Sequence, residues 1–236
     1  MKNIFITGGA GYVGCPLTSY LLNKGHNVTV LDLMIYGENL LPTKKNLKVI
    51  KGDIRDQNLL KDLLPGHDIL IHLACISNDP SFELNPKLGK SINLDCFEPL
   101  VDISIKSKIK KFIFASSSSV YGIKKTINVD ENFNLEPLTD YSLFKAKCED
   151  ILKTYSSNHF CTSILRPATV CGYSVRQRLD VVVNILTNLA FHKRKISIFG
   201  GNQLRPNIHI KDMIRAYDLI INTDDKIVNN EIFNIG

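Results

Sequence analysis

The stretch "NIFITGGAGYVG" (3–14) constrains this chain most. Five largely apolar residues run straight into glycines at 8, 11 and 14, and an apolar-periodic stretch follows up to Gly25. The spacing predicts a buried strand over 3–7, a tight glycine turn and a helix over about 11–24, with Gly25 as its C-terminal cap. The same short apolar run recurs as "NVTVLD" (27–32), "LKVIKGD" (47–53), "DILIHLA" (68–74), "KFIFASS" (111–117) and "CTSILRP" (161–167). Helical patterns separate the runs; the longest cover 85–107 and 140–157. Near-continuous apolar strands alternating with helices predict an α/β fold, a doubly wound parallel sheet covered on both faces with right-handed crossovers. After 172 the pattern loosens. A helix is expected over 178–193, a short strand at "ISIFG" (196–200), a strand end running into a helix at "IHIKDMIRAYDLII" (208–221), and a last strand at "EIFNIG" (231–236).

Composition narrows the class. With 236 residues, 44% hydrophobic and 22% charged, the chain reads as an ordinary globular protein, one large domain with room for a small lobe. No apolar run is long enough to span a bilayer, and the N-terminus lacks the features of a signal peptide, so a cytoplasmic location is expected, with no membrane partner. The six cysteines form no CxxC pair, so no metal is expected and the thiols read as reduced. The net charge of +6 gathers partly in "IKSKIKK" (105–111) and "HKRK" (192–195). These runs form a solvated face or attract an anionic small molecule. They lack the interleaved aromatics of a nucleic-acid surface, and no nucleic-acid partner is expected.

Each of Gly8, Gly11 and Gly14 has a separate use between a strand and a helix: a tight turn, close backbone approach to a pyrophosphate, and close helix–strand packing. The helix N-terminus, with Tyr12 and Val13 leading into it, offers N–H groups and a positive dipole end to phosphates. Asp32 ends the second strand, 18 residues past Gly14. A carboxylate there accepts hydrogen bonds from both ribose hydroxyls and repels a 2′-phosphate, so the expected cofactor is NAD rather than NADP. Asp53 and Ile54, in "GDIRD" (52–56), fall where an adenine ring would lie; Asp53 serves equally well as a cap for the following helix. The fold is therefore read as Rossmann-type.

In "TDYSLFKAKCED" (139–150), Tyr141 and Lys145 stand four apart, on one helix face. A free tyrosine is a poor base at neutral pH. A lysine cation one turn away favours the phenolate, as does a positively charged nicotinamide.

TGGAGYVG, GDIRD, HLA, SSSSVYG, YSLFK and LRPATVCG follow one another in the order and spacing of the extended short-chain dehydrogenases/reductases. The chain most resembles the NAD-dependent epimerase/dehydratase, or nucleotide-sugar epimerase, family over its whole length. That resemblance implies Ser117, Tyr141 and Lys145 as the catalytic group, with Ser118 the second choice for the serine. It implies that Lys145 also bonds the nicotinamide ribose. It adds Leu73, Ala74, Cys75, Asn93, Ser116 and Pro167 to the cofactor contacts, and gives Ser118, Thr169, Val181 and Arg205 to the substrate. Asn93 reads equally as a satisfied polar group of its helix. Arg205, in "GGNQLRPNIHIKD" (200–212), would clamp the substrate diphosphate. Cys75 stands where the family has alanine; Cys171 and Asn207 stand where it has aromatics. His209 and Asp212 are expected to be structural.

Family members that eliminate water carry Thr-Asp-Glu at the serine triplet; this chain has Ser117-Ser118-Ser119. Without a carboxylate, dehydration and decarboxylation are disfavoured, and the expected reaction is epimerisation of a nucleotide sugar at C4 by transient oxidation. The alternatives are a reductase or dehydrogenase of a nucleotide-linked keto sugar, and a non-catalytic dinucleotide-binding sensor. The domain reading is a cofactor domain over 1–167 and a small substrate lobe over 168–236, interleaved with the last sheet elements and expected to be incomplete. The family also implies a homodimer, built by pairing the helices near 85–107 and 140–157 into a four-helix bundle.

Overall fold

A computed structural model describes residues 1–77, 84–126, 128–202 and 204–236. Seven strands form one sheet: β1 (Asn3–Thr7), β2 (Asn27–Asp32), β3 (Leu47–Lys51), β4 (Ile69–His72), β5 (Lys111–Ala115), β6 (Cys161–Pro167) and β9 (Glu231–Ile235). Their order is β3-β2-β1-β4-β5-β6-β9 and all six pairings are parallel. A separate two-stranded parallel sheet pairs β7 (Thr169–Cys171) with β8 (Asn207–His209).

Alternation along the strands fills two core layers. Ile4, Ile6, Ile69, Ile71 and Ile113 point to one side, with Leu17, Leu21, Met213 and Tyr217 from α1 (Gly14–Asn23) and α7 (Ile210–Asn222). Phe5, Leu70, Phe112 and Phe114 point to the other. There they meet Leu60 of α2 (Gln57–Leu63), Phe97 and Leu100 of α4 (Phe97–Lys106), and Leu152 of α5 (Asp140–Tyr155). Because both faces are covered, strand residues of either parity must be apolar, which is why the strands read as unbroken apolar runs. The doubly wound reading is correct.

The expected elements recur with shorter ends. The fourth apolar run stops pairing at His72 and the fifth at Ala115, so Leu73–Cys75 and Ser116–Ser117 form loops at the carboxyl ends of the strands, the second followed by a 3-10 turn over Ser118–Tyr121. The predicted helix over 85–107 is α3 (Pro86–Lys90) and α4 joined by a π-helical turn, Ser91–Asp95, which carries Asn93. The predicted strand at 196–200 is absent: these residues are exposed and pair with no strand among the described residues. An apolar pattern without a neighbouring edge cannot form a sheet. The remaining helices are α6 (Val182–Lys193) and α8 (Asp225–Val228).

The strand order reverses between β1 and β4, and the crevice at the carboxyl edge of such a switch point is the position where sheets of this kind bind ligands.

Candidate active site

The glycine turn forms one wall of the crevice. Gly8 has φ +75°, and a Cβ there would stand 2.6 Å from the Ala74 backbone nitrogen. Only glycine lets the turn after β1 lie against Leu73 and Ala74 after β4. A Cβ on Gly14 would meet the Gly8 carbonyl oxygen at 2.4 Å, which holds α1 against the turn. At Gly11 it would meet only that oxygen, at 3.1 Å, so the outer side of the turn stays open. Val13 caps α1 without a side-chain hydrogen bond, so no side chain blocks the helix end.

Asp32 is tied to the same wall. Its Oδ2 accepts from the Ala10 N–H at 3.0 Å and its Oδ1 from the Met34 N–H at 2.9 Å. Each oxygen keeps a lone pair for a further donor. Asp53 does not cap α2; Asp56 does, accepting from the Asn58 and Leu59 N–H groups. The Asp53 carboxylate instead takes the Arg55 N–H and guanidinium, and that partner holds it below the usual carboxylate range. Ile54 is buried in the core beneath it.

The opposite wall comes from α5. Thr139 and Ser142 close a capping box that starts the helix, and Tyr141 and Lys145 follow on one face. Lys145 is buried, 3% exposed; its ammonium donates to the Ala115 carbonyl oxygen at 2.6 Å and lies 5.9 Å from the Tyr141 ring centroid. Ser117 is among the groups that act on the Tyr141 phenol, and its Oγ accepts from the Ser119 N–H at 3.1 Å. The chain thus brings Ser117, Tyr141 and Lys145 together, with Ser118 opening the short 3-10 turn just beyond Ser117.

Electrostatics departs from the simple expectation at Tyr141. Burial is the largest influence and raises its pKa above the ordinary value; Lys145 is the strongest influence in the other direction, with Cys75, Ser117 and Arg178 also acting on it. The lysine alone does not make this phenol a base at neutral pH. Lys145 itself is held above its ordinary value: burial opposes the charge, and the groups around it, Cys75 and Tyr141 first, outweigh that.

Other expected contacts fall in varied places. Asn93 spends both ends of its amide on Ile76, accepting from its N–H at 2.8 Å and donating to its carbonyl at 2.9 Å. It is a satisfied buried group that shapes the loop after Cys75. Ser116 is 3% exposed; its hydroxyl bonds Glu149 and its N–H donates to the Leu165 carbonyl, so its side chain is spent inside the fold. Pro167 ends β6 opposite Ile235. Thr169 and Asn207 are register partners in the small sheet, which sets Thr169 beside the segment that begins at Arg205. Val181 caps α6. Gln203, in the segment with Arg205, lies outside the described residues. His209 caps α7 through its ring, and Asp212 pairs with Arg215, both structural arrangements.

Tyr12 was expected only beside the cofactor; the bonds its side chain makes, and the parts of Asn184, Arg178 and Arg176, escaped sequence reasoning. Tyr12 is buried, and its hydroxyl donates to the Gly172 carbonyl at 2.7 Å and accepts from Asn184 at 3.1 Å. Asn184 also accepts from the Gly172 N–H and donates to the Arg178 carbonyl, so the 172–181 loop is tied to the glycine turn. Arg178, paired with Asp180, acts on Tyr141, and Arg176 stacks 3.6 Å over the Tyr36 ring. No spacing rule joins residues 172 positions apart; the nearest signal was the cluster of polar groups in "YSVRQRLDV".

Residues 4–236 match the family model described as the NAD dependent epimerase/dehydratase family. The chain belongs to this family. It is 30% identical to the dTDP-D-glucose 4,6-dehydratase of Dictyostelium discoideum, over all of this chain and 58% of that protein. It is also 30% identical to a putative UDP-glucose 4-epimerase of Methanocaldococcus jannaschii, over 98% of this chain and 80% of the relative. A solved UDP-N-acetylglucosamine 4-epimerase from Methanobrevibacter ruminantium M1, in complex with UDP-N-acetylmuramic acid, superposes with a TM-score of 0.90 at 29% identity, covering all of this chain and 76% of that one. The residues present fit the family's cofactor, NAD. The turn is open where a pyrophosphate needs room, α1 offers its N-terminus, and both Asp32 oxygens keep acceptor capacity for ribose hydroxyls.

Proposed function

We propose that this chain carries the site of an NAD-dependent nucleotide-sugar epimerase acting at C4. The observation that carries this is the convergence of Ser117, Tyr141 and Lys145, with Lys145, Cys75, Ser117 and Arg178, and no carboxylate, as the groups among the described residues that act on the Tyr141 phenol. Elimination of water needs an additional acid and base beside the reacting carbons, and the serine triplet supplies neither. NAD, when bound, supplies the acceptor that oxidises the sugar carbon and returns hydride to the other face, along with a positive charge over the phenol. Tyr141 takes the hydroxyl proton and gives it back. Ser117 holds the reacting oxygen by hydrogen bonding. Lys145, fixed by the Ala115 carbonyl, biases Tyr141 toward the phenolate and reaches the cofactor ribose. Asp32 holds the adenosine ribose, with Gly8, Gly11, Tyr12, Val13 and Gly14 around the pyrophosphate and Leu73, Ala74 and Cys75 on the far wall. Thr169, Val181 and Arg205 border the sugar nucleotide, and residues 168–236 form most of that lobe. The six free cysteines suit a reducing, cytoplasmic setting.

The test is turnover of UDP-, dTDP-, GDP- and CDP-sugars by the purified protein, followed by product analysis. An epimer formed with only catalytic NAD supports the reading; a stoichiometric demand for coenzyme replaces it with a reductase, and a dehydrated product overturns it. Tyr141→Phe is expected to lower kcat about 10²–10⁴-fold while NAD affinity stays within a few-fold. Full activity in that variant removes Tyr141 from the mechanism.

A further inference from the structure

Tyr141 and Lys145 continue at the same four-residue spacing to Glu149, which is fully buried on α5. Glu149 is not idle. Its carboxylate pairs with the guanidinium of Arg166 on β6, which is 2% exposed, through Nη2 at 2.5 Å and Nε at 3.0 Å. The same carboxylate accepts from the Ser116 hydroxyl. Arg166 Nη1 continues to the Tyr121 hydroxyl at 2.6 Å, and Tyr121 donates to Asn234 Oδ1 on β9 at 2.7 Å.

The position of Ser116 gives this network its significance. Ala115, one residue earlier, offers the carbonyl that holds Lys145. Ser117, one residue later, is among the groups that act on Tyr141. The three consecutive residues at the end of β5 therefore meet, in turn, Lys145, Glu149 and Tyr141, all on one face of α5. A buried ion pair whose remaining acceptors are satisfied is held in a single geometry. We propose that Glu149, with Arg166 behind it, is a positioning residue that clamps Ser116 and thereby sets the catalytic Ser117, Tyr141 and Lys145 in register. The clamp rests on the proposed reading of those three as the reacting groups. It touches neither substrate nor cofactor.

The test is Ser116→Ala, which removes one hydroxyl and leaves the Glu149–Arg166 pair intact. Tyr121→Phe, which cuts the network farther from the site, is the second variant. Tyr141 is faced by Lys145 from its own helix, Ser117 after β5, Cys75 after β4, and Arg178 from the 172–181 loop. If Ser116→Ala lets the Ala115 carbonyl drift, Lys145 leaves the phenol and the Tyr141 titration moves upward. That titration is read by NMR on 13Cζ-tyrosine protein saturated with NAD, with Tyr141→Phe identifying the signal. We expect an upward shift of about half a unit or more in Ser116→Ala and a smaller shift in Tyr121→Phe. We also expect kcat to fall about tenfold with KM nearly unchanged, since ground-state binding is untouched. A folded Ser116→Ala protein with an unmoved Tyr141 titration and unchanged kcat overturns the clamp. If the wild-type protein turns over no nucleotide sugar yet the titration shifts, the epimerase reading falls and the clamp stands.

Discussion

Tyr141 illustrates how one side chain balances opposing influences. Its neighbours pull in different directions, and burial prevails over the lysine. His72 is the simpler case, and its consequence is measurable. It is buried on β4 between Phe97, Phe112 and Phe114, with Nδ1 2.7 Å from the Thr7 hydroxyl. Burial first, and the Lys145 cation second, lower its pKa to about 3. A neutral folded histidine contributes its full stability above the unfolded value near 6.5 and loses it as pH falls from there toward 3, because only the unfolded chain takes up the proton. Urea unfolding should therefore show a midpoint that drops between pH 7 and pH 5, and a His72→Gln protein should show a shallower drop. An identical slope in the two would assign the acid sensitivity to other groups. The six-residue span from Ser116 to Tyr121 shows how much chemistry hides from a linear reading. Tyr121 and Ser116 looked like members of one serine-rich motif, yet Tyr121 bonds a buried arginine 45 positions downstream and Ser116 bonds that arginine's carboxylate partner, 33 positions downstream.

The catalytic helix is set by its first turn. Thr139 accepts from the Ser142 N–H, and the Ser142 hydroxyl accepts from the Thr139 N–H, so the helix begins one residue before Tyr141. Thr139→Ala is expected to lower folding stability by about 1 kcal/mol, read as a lower urea midpoint with an unchanged slope. No loss of stability would mean that the helix start is held by packing alone. The glycine turn is the second element with a narrow tolerance. Gly8→Ala adds a Cβ at positive φ that meets the Ala74 backbone, and backbone cannot swing aside. We expect at least a tenfold weaker NAD affinity in that variant by calorimetry; wild-type affinity would show that the turns after β1 and β4 can separate freely. These elements were legible because capping and turn signals are local. The strand expected at 196–200 failed for the complementary reason: a strand needs a partner edge, and apolar alternation does not say whether one is near.

At the scale of the molecule, α4 and α5 lie side by side on one face of the sheet and share a surface groove lined by Leu94, Asp95, Glu98, Lys147, Asp150 and Ile151. Apolar residues flanked by acids and a lysine suit pairing with a second copy about a two-fold axis, the homodimer proposed from the family resemblance. Sedimentation should give twice the chain mass of 26.5 kDa, and Ile151→Asp should shift it toward the monomer. A wild-type monomer at micromolar concentration would exclude this assembly. The sequence by itself determined the strand–helix alternation, the glycine turn, the acceptor at Asp32 and the Tyr141–Lys145 face, because each depends on residues within about a turn or a strand of one another. Only the tertiary structure decided that Asp56 rather than Asp53 caps α2, that Asn93 is spent on Ile76, that Tyr12 ties the 172–181 loop to the glycine turn, and that Glu149 holds Ser116. Those choices depend on which polar groups the parallel sheet buries side by side. A buried donor or acceptor takes whichever partner the packing places within reach, however distant that partner is along the chain.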